Sequence, residues 1–350
     1  MRKLLLLLEA GLLLAGLSLL LCVWLQRQAL QQPLQISSEY LLDVPAGATP
    51  GGLLQQLQGE AILTDAFWLR QYWNFNLADK SLHSGEYRLL PGMSAFDLLG
   101  LWHRAEVVHY SLTLIEGWNF KQVRAELGRH TKLEQSLGQL TDEELMRALG
   151  WPGVHPEGWF FPDTYQYARG MRDSDLLKQA GERQQRVLDE EWQARAANVP
   201  YGDPYQALVM ASLIEKETGA VAEREQIAGV FVRRLGKKML LQTDPTVIYG
   251  LGERYNGNLT RADLRQPSAY NTYLNPGLPP TPIALAGREA IHAALHPAAG
   301  KSLYFVARGD GSHVFSETLD EHNRAVREYQ LKRRTDYRSS PATQSNKEAQ

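Results

Sequence analysis

The chain opens with a long apolar run that predicts a membrane-spanning helix. Residues 4–25 carry a single charge, Glu9, and a run of about 22 residues has the length that a helix needs to cross the hydrocarbon core of a bilayer. Basic residues precede the run, so we expect the following chain on the far side of the membrane. A cleaved signal peptide is the alternative, but residues 23–27 lack the small side chains of a cleavage site, which favours a retained anchor over 1–25.

After a polar linker predicted at 26–37, a pattern of strand, turn and helix occurs three times in residues 38–127. Each alternating apolar run leads into a glycine-containing turn and then into a helix that a small polar residue precedes. The runs are residues 40–44, 85–90 and 110–115, and the helical stretches lie around residues 53–57, 96–99 and 122–127. Such units resemble LysM-type modules, which hold N-acetylglucosamine polymers, but a plain α+β scaffold fits the pattern equally well.

Residues 128–200 are charged and helical in pattern, and an aromatic segment at 157–165 interrupts them. Aromatic rings stack on the apolar faces of sugars, so this segment could line a sugar-binding groove, or it could pack in the core. We expect its two adjacent phenylalanines in the core, and Glu157 and Asp163 stay possible groove residues.

The last part of the chain, residues 201–331, has the pattern of a mixed α/β domain that ends in a hairpin and a helix. The hairpin strands are predicted at 303–307 and 313–315, on either side of a Gly-Asp-Gly turn. Residues 332–350 are polar with no apolar period, which predicts disorder. The expected fold class is therefore α+β: an N-terminal transmembrane helix, a LysM-like βα module and a mixed α/β catalytic domain.

Composition narrows the classes of function. With 44% hydrophobic and 22% charged residues, a chain of 350 residues can build two or three cores, and its net charge of -2 argues against a nucleic-acid partner. Cys22 is the only cysteine, and no small residue precedes it as a lipoprotein signal would require. Disulfides and cysteine-type zinc sites are thereby excluded from the exported part, and we expect no cofactor.

One predicted helix carries a carboxyl group in an apolar setting. Asp203 followed by proline predicts the helix start, and Gly219 predicts its end. Residues 207–214 are apolar except for one serine, so the helix must be buried, and Glu215 continues its apolar face. Burial and the negative end of the helix dipole both raise a carboxyl pKa, which suits a general acid that protonates a glycosidic oxygen.

A structural role is the alternative for this carboxyl group. Glu215 could pair with an arginine such as Arg233 or Arg234 and only stabilise the domain. Helix pattern alone favours that ion pair. Glu217 lies most of the way round the helix, so we do not expect it to be the acid.

Two segments further on carry amides, hydroxyls and rings that suit sugar hydroxyls and acetamido groups. They are residues 241–250 and 270–273, and turn chemistry alone could also explain them. The predicted substrate-binding residues are Glu157, Trp159, Gln242, Thr243, Asp244, Thr246, Tyr249, Asn256, Tyr270, Asn271, Thr272 and Tyr273.

The order of these motifs resembles that of the YceG-like family. The motifs are Glu215-Lys216-Glu217-Thr218, the segment at 241–250, Tyr255-Asn256-Gly257, Tyr270-Asn271-Thr272-Tyr273 and Gly277-Leu278-Pro279-Pro280. The resemblance covers nearly the whole chain, including the anchor, Glu116-Gly117-Trp118, Glu157-Gly158-Trp159 and the hairpin. Motifs this long and in this order are highly specific.

The resemblance implies a lytic transglycosylase. The glutamate at Glu215 would protonate the bond between N-acetylmuramic acid and N-acetylglucosamine, then take the proton of the muramoyl C6 hydroxyl as a 1,6-anhydro end forms. It further implies internal cleavage of nascent strands, which ends glycan elongation, with bifunctional penicillin-binding proteins as partners. The protein would lie in the bacterial inner membrane with its catalytic domain in the periplasm, and its short linker would keep it near newly made strands.

Two other functions stay open from the sequence. A hydrolytic muramidase would need a second carboxylate, for which Asp244 is the best choice. A non-catalytic peptidoglycan-binding scaffold would need only the LysM-like module on its anchor.

Overall fold

The computed structural model describes residues 2–77 and 81–331, which form two compact units. Unit 1 comprises Met1–Ser111, Thr131–Glu134 and Gln166–Arg172, and unit 2 comprises Leu112–His130, Gln135–Tyr165 and Asp173–Gln350. The division does not follow the boundaries predicted at 127/128 and 200/201. The predicted tail at 332–350 lies outside the described residues.

Unit 1 begins with a helix, α1 (Arg2–Gln31), that is long and apolar enough to cross a membrane. The helix does not stop at the predicted start of the linker. It continues to Gln31, and Ala29 and Leu34 are buried in the core of unit 1. The stretch predicted as a linker at 26–37 is therefore partly helical and packed, because its few apolar residues fit the core.

The first two predicted strand–turn–helix units are present in unit 1. They are β1 (Tyr40–Val44) with α2 (Pro50–Gly59), and β2 (Gly85–Leu89) with α4 (Ala95–His103). The two strands pair antiparallel, with Leu42 opposite Tyr87. This confirms a small mixed module, while its assignment to the LysM type stays a prediction.

One helix of unit 1 was absent from the sequence-based picture: α3 (Phe67–Asn76). Ala66 makes no side-chain capping bond, but Oδ1 of Asp65 accepts the backbone N–H of Phe67 at 2.8 Å at the start of the helix. Leu69 and Trp73 are buried on one face of this helix. Their packing stabilises the helix together with this cap.

The third predicted strand and helix are β3 (His109–Thr113) and α5 (Phe120–Arg129). Strand β3 pairs with β4 (Thr164–Ala168), and the division between the units runs through both strands. Unit 2 then adds α6 (Asp142–Leu149) and α7 (Asp173–Gln193).

The centre of unit 2 is α8 (Pro204–Glu217), whose residues from Ala207 to Ile214 are all buried. Asp203 caps the helix by accepting the backbone N–H of Gln206 at 2.9 Å, as predicted from the sequence. The helices that pack against α8 are α7, α9 (Arg224–Gly236), α10 (Asp244–Leu251) and α11 (Arg288–Leu295). Phe160 is buried and Phe161 joins the core of α8, so the core placement of both phenylalanines is confirmed.

The predicted C-terminal hairpin is also present. Strands β5 (Tyr304–Ala307) and β6 (His313–Ser316) pair antiparallel, with Phe305 opposite Phe315. Helix α12 (Leu319–Val326) follows. The α+β class is thereby confirmed.

Candidate functional site

The C-terminal turn of α8 presents two carboxyl groups, Glu215 and Glu217, to different parts of unit 2. Residues two apart on a helix point in directions about 200° apart, so each carboxyl meets its own set of neighbours. The turn ends at Thr218, whose N–H bonds to the carbonyl of Ile214 at 3.3 Å. What each carboxyl can do depends on those neighbours.

Glu215 is enclosed in an ion pair. Its Oε1 accepts from Nη2 of Arg224 at 3.1 Å, and its Oε2 accepts the backbone N–H of Gly287 at 3.1 Å. Both side chains of the pair are 6% exposed. The arginine comes from the first turn of α9. The sequence pointed to Arg233 or Arg234 for such a pair, but both of these donate to backbone carbonyls instead.

Opposing effects act on the pKa of Glu215. Burial raises its pKa, and the negative charges of Glu116 and Glu289 add to that rise. The positive charge of Arg224 and the Gly287 N–H lower it, and the net shift is upward. Arg224 also lies 3.7 Å from Glu116 and 3.9 Å from Glu289, so this one buried guanidinium is close to three carboxyl groups.

Glu217 has a hydroxyl partner where Glu215 has a cation. Its Oε1 accepts from the hydroxyl of Thr243, and its side chain is half-buried. Burial raises the pKa of Glu217 to about 7; the negative charge of Asp244 adds to the rise and the Thr243 hydroxyl opposes it. Within residues 2–77 and 81–331, Glu217 makes no salt bridge, and no cation contributes to its pKa shift. This carboxyl group can therefore carry a proton near neutral pH.

The segment at 242–246 approaches Glu217 because buried threonines hold it. Thr243 N–H donates to the hydroxyl of Thr272 at 3.1 Å, and the Thr246 and Thr272 hydroxyls lie 2.9 Å apart. Gln242 sits at a left-handed φ of 54° and donates its N–H to the Thr272 carbonyl at 3.1 Å. Thr246 and Thr272 are fully enclosed, so they position the loop and are inaccessible to a sugar. The side chain of Gln242 is exposed.

Two predicted sugar-binding residues, an exposed aspartate and a half-buried tyrosine, form a pair beside this loop. The Tyr273 hydroxyl donates to Oδ1 of Asp244 at 2.6 Å, and Asp244 is exposed in the first turn of α10. Asn271 is buried, and its side-chain amide donates to the carbonyls of Leu264 and Gln266 at 3.1 and 2.8 Å. Asn271 thus shapes the loop and is inaccessible to a ligand.

Glu157 forms a separate buried cluster. It is 3% exposed and accepts from the Phe120 N–H at 3.0 Å and from the Tyr249 hydroxyl at 2.9 Å. Burial raises the pKa of Glu157 to about 7. The ring of Tyr270 lies 4.7 Å from that of Tyr249. Glu157 therefore does not line an open groove.

The remaining predicted residues lie outside both clusters. Trp159 is half-buried and packs against the rings of Trp151 and Tyr205. Asn256 is exposed, and its side chain accepts the backbone N–H of Asn258 at 3.2 Å as part of a turn. The structure therefore brings Thr243, Asp244, Thr272 and Tyr273 together around Glu217, a residue that helix periodicity alone had set aside.

One further group has the composition of a metal site. Ligand atoms of Glu191, His292 and His296 lie within 4.8 Å of one another. Protein partners account for these atoms: Arg288 and His292 each lie 2.8 Å from Glu191, and Nε2 of His296 lies 2.8 Å from the Ala194 carbonyl. The group is explained without a metal and contains none of the residues around Glu217.

Comparisons with known proteins agree with this arrangement. The model of the YceG-like family matches residues 42–328. An endolytic murein transglycosylase of Bacillus subtilis (strain 168) is 32% identical over 325 residues, which cover 87% of this chain and 89% of that protein. Two proteins of the same name from Streptococcus pneumoniae, strains D39 and R6, are 28% and 27% identical over 71% of this chain. The chain spans 51% of the length of these streptococcal relatives.

A solved structure leads to the same family. The crystal structure of a yceG-like protein from Listeria monocytogenes superposes with a TM-score of 0.53 at 28% sequence identity. The match covers 83% of this chain and 99% of that one. By the extent of the family match and the identity to the Bacillus protein, the chain belongs to the YceG-like family.

Proposed function

We propose that this chain is a lytic murein transglycosylase that cuts glycan strands between N-acetylmuramic acid and N-acetylglucosamine and leaves 1,6-anhydro ends. Membership of the YceG-like family and relatives named endolytic murein transglycosylase support the enzyme class. The observation that carries the mechanism is Glu217, a half-buried carboxyl with a pKa of about 7 and a hydroxyl partner.

A single carboxyl group can serve both steps of this reaction. In the first step its proton passes to the glycosidic oxygen as the bond from that oxygen to muramoyl C1 breaks. In the second step the carboxylate takes the proton of the muramoyl C6 hydroxyl, whose oxygen bonds to C1. The nucleophile belongs to the substrate, so water is not consumed and the carboxyl ends the cycle protonated.

Two glutamates compete for this role, and the contacts favour Glu217 over Glu215. A general acid needs a proton near neutral pH and access to substrate. Burial raises the pKa of Glu215 on balance, but the cation of Arg224 opposes that rise, and the side chain is only 6% exposed. Glu217 is partly buried like Glu215, but it has no ionic partner among the described residues and lies beside the loop with Asp244 and Tyr273. Glu215, the choice from sequence, remains the rival assignment.

Hydrolysis is the second candidate reaction because Asp244 lies close enough to Glu217 to raise its pKa. A pair of carboxyls could activate water in place of the C6 hydroxyl. In the lytic reaction Asp244 has another use. Its negative charge helps Glu217 keep its proton, and it stabilises the positive charge that develops at C1. Its hydrogen bond from Tyr273 fixes it for either task.

The cellular setting follows from α1. An N-terminal membrane span followed directly by unit 1 suits a periplasmic enzyme of the inner membrane that meets strands as they are polymerised. Internal cuts there would end glycan elongation. Bifunctional penicillin-binding proteins, which make such strands, are the expected partners.

The deciding experiment is mass spectrometry of products from purified uncrosslinked glycan strands, with Glu217→Gln and Glu215→Gln beside the wild type. We expect 1,6-anhydro ends from the wild type, a loss of at least about 100-fold in Glu217→Gln, and residual activity in Glu215→Gln. Glu289→Gln is the matched control. This carboxyl group also lies near Arg224, the partner of Glu215, but its side chain is 58% exposed.

Each other result assigns a different function. Reducing muramic acid ends would identify a hydrolase. A fully active Glu217→Gln with an inactive but folded Glu215→Gln would return the acid role to Glu215. Strand binding without product in the wild type and in both variants would identify a scaffold.

A further inference from the structure

Unit 1 is joined to the apolar helix without a flexible connection. Helix α1 is exposed from Leu6 to Trp24, half-buried at Leu25 and Gln26, and buried at Ala29. Unit 1 therefore begins to cover the helix where the apolar run ends, and Leu25 and Ala29 are about 6 Å apart along the helix axis. If α1 spans a membrane, the near side of unit 1 must lie at its surface.

Helix α3 runs from the far side of unit 1 back toward that surface. Gln32, directly after α1, accepts the N–H groups of Thr64 and Asp65 at 2.8 and 3.1 Å. These two residues come just before α3, so the C-terminal end of α1 meets the N-terminal end of α3. The two helices also pack against each other, and from these contacts we infer that α3 runs back along α1.

On antiparallel axes, the last turn of α3 comes to the level of Trp24. From Gln32 back to Trp24 the helical rise is about 12 Å, and from Phe67 to Phe75 it is also about 12 Å. Trp24 is 55% exposed and Phe75 is 83% exposed, so both rings are uncovered at the height where the apolar run ends.

The exposed ring of Phe75 continues an aromatic stripe along one face of α3. Trp68, Tyr72 and Phe75 are spaced four and three residues apart, which places them on the same face of the helix. Trp68 and Tyr72 are half-buried against the core of unit 1, whereas Phe75 extends beyond it. Phenylalanine is among the side chains that membrane-surface helices bury at the boundary between lipid headgroups and acyl chains.

We propose that Phe75 and Trp24 form a lipid-contacting patch by which unit 1 rests on the bilayer surface. The occupant is the phospholipid interface itself, and α1, which leads out of the same end of unit 1, is the feature that identifies it. This proposal rests on α1 being a membrane span. The patch restrains unit 1 from tilting about α1, so the unit keeps one fixed orientation on the membrane.

The test uses the full chain with Cys22→Ala in nanodiscs of phosphatidylethanolamine and phosphatidylglycerol. Phe75→Cys receives a nitroxide spin label, and its collision rates with oxygen and with a water-soluble nickel chelate are measured. We expect Phe75→Cys to favour oxygen, as lipid contact requires. Phe67→Cys is the matched control: it is also an exposed aromatic of α3, 52% exposed and about 12 Å farther from the membrane, and should favour the nickel chelate.

Two outcomes would overturn the proposal and can be told apart. Labels at Phe75 and Phe67 that both favour the nickel chelate, while a label at Leu12→Cys favours oxygen, would show a spanning helix without a lipid-contacting patch. A label at Leu12→Cys that favours the nickel chelate would show that α1 does not span. Unchanged melting temperatures for all three variants are expected, since each side chain is exposed by more than half.

Discussion

At the residue scale, two glutamates of one helix turn have different chemistry because their partners differ. Glu215 faces a buried arginine and a backbone N–H, whereas Glu217 faces a threonine hydroxyl and a neighbouring aspartate. A cation favours the ionised carboxylate, and burial beside a negative charge favours the protonated acid. The partner, and not the position in the helix, decides which group can donate a proton.

The first prediction concerns the pH dependence of catalysis. The acid must be protonated, so the formation of anhydro product should fall as pH rises through about 7, the pKa of Glu217. In Asp244→Asn the negative charge that raises this pKa is gone, and the alkaline limb should move to lower pH while anhydro product still forms. Single-turnover rates from pH 5 to 9 measure both. A variant that is inactive at every pH would indicate that Asp244 takes part in the chemistry.

The second prediction concerns stability. The pKa of Glu157 is raised from 4.5 to about 7 by burial, so the folded state holds its proton more tightly than the unfolded state. That stabilisation is present below pH 4.5 and is lost as pH rises through 7. Glu157→Gln lacks the dependence, so its free energy of unfolding relative to the wild type should improve from pH 5 to pH 8 by at most roughly 3 kcal/mol.

Urea unfolding at the two pH values checks this difference. The amide also changes hydrogen bonds to Phe120 and Tyr249, but that cost is the same at both pH values and cancels. An equal effect of the variant at pH 5 and pH 8 would mean that Glu157 is ionised throughout.

The third prediction concerns the ion pair between Glu215 and Arg224. Arg224→Ala leaves this buried carboxylate without its cation and should destabilise unit 2 by about 3 kcal/mol. Adding Glu215→Gln removes the unpaired charge and should recover part of the loss. Thermal unfolding of the single and double variants measures the recovery, and a double variant no more stable than Arg224→Ala would contradict the pairing.

At the element scale, α9 shows how tightly unit 2 is packed around the site. A Cβ atom added at Gly229 would lie 2.5 Å from the backbone oxygen of Ala298, while one added at Gly236 would meet nothing within 4 Å. Both glycines belong to the same helix. Gly229 lies against backbone and Gly236 faces open space, so the two positions form a matched pair for substitution.

The fourth prediction uses this pair. Gly229→Ala should destabilise the protein by about 1–3 kcal/mol, because two backbone segments must separate. Gly236→Ala should be neutral or stabilise it by up to about 1 kcal/mol through helix propensity. Melting temperatures of the two variants check the contrast, and similar losses in both would mean that α9 does not lie against the segment at Ala298.

At the scale of the whole molecule, the apolar helix α1 is continuous with the packed core of unit 1. Ala29 and Leu34 belong to the core of unit 1, and Gln32 bonds to the backbone before α3. If α1 spans a membrane, packed structure and not an extended linker sets the distance between the bilayer and unit 1.

The fifth prediction follows from that continuity. A chain that begins at residue 26 should keep the melting temperature of unit 1, whereas one that begins at residue 38 loses two core side chains and should melt at least about 5 °C lower. Calorimetry of the two truncated forms compares them directly. Equal melting temperatures would restore the reading of 26–37 as a free linker.

Much of the fold followed from the sequence because its signals are local. The spacing of apolar residues predicted α8 and the hairpin of β5 and β6. Small polar residues before helices predicted the starts of α2, α4 and α5. Helix α3 was missed because it lies outside the repeated strand–turn–helix pattern, although Asp65 caps its first turn. The division into two units was missed because short segments such as Gln166–Arg172 join a unit that is distant in sequence.

The sequence by itself determined the apolar N-terminal helix, the buried helix with carboxyls at its end, the loops that accompany it and the family. Only the tertiary structure decided that Arg224 pairs with Glu215, that Thr243 reaches Glu217 and that Glu157 is buried. The reason is physical: periodicity fixes which face of a helix a residue occupies, but not what another segment places opposite that face. The pKa of a carboxyl depends on those neighbours, and so does the choice between a structural glutamate and a catalytic one.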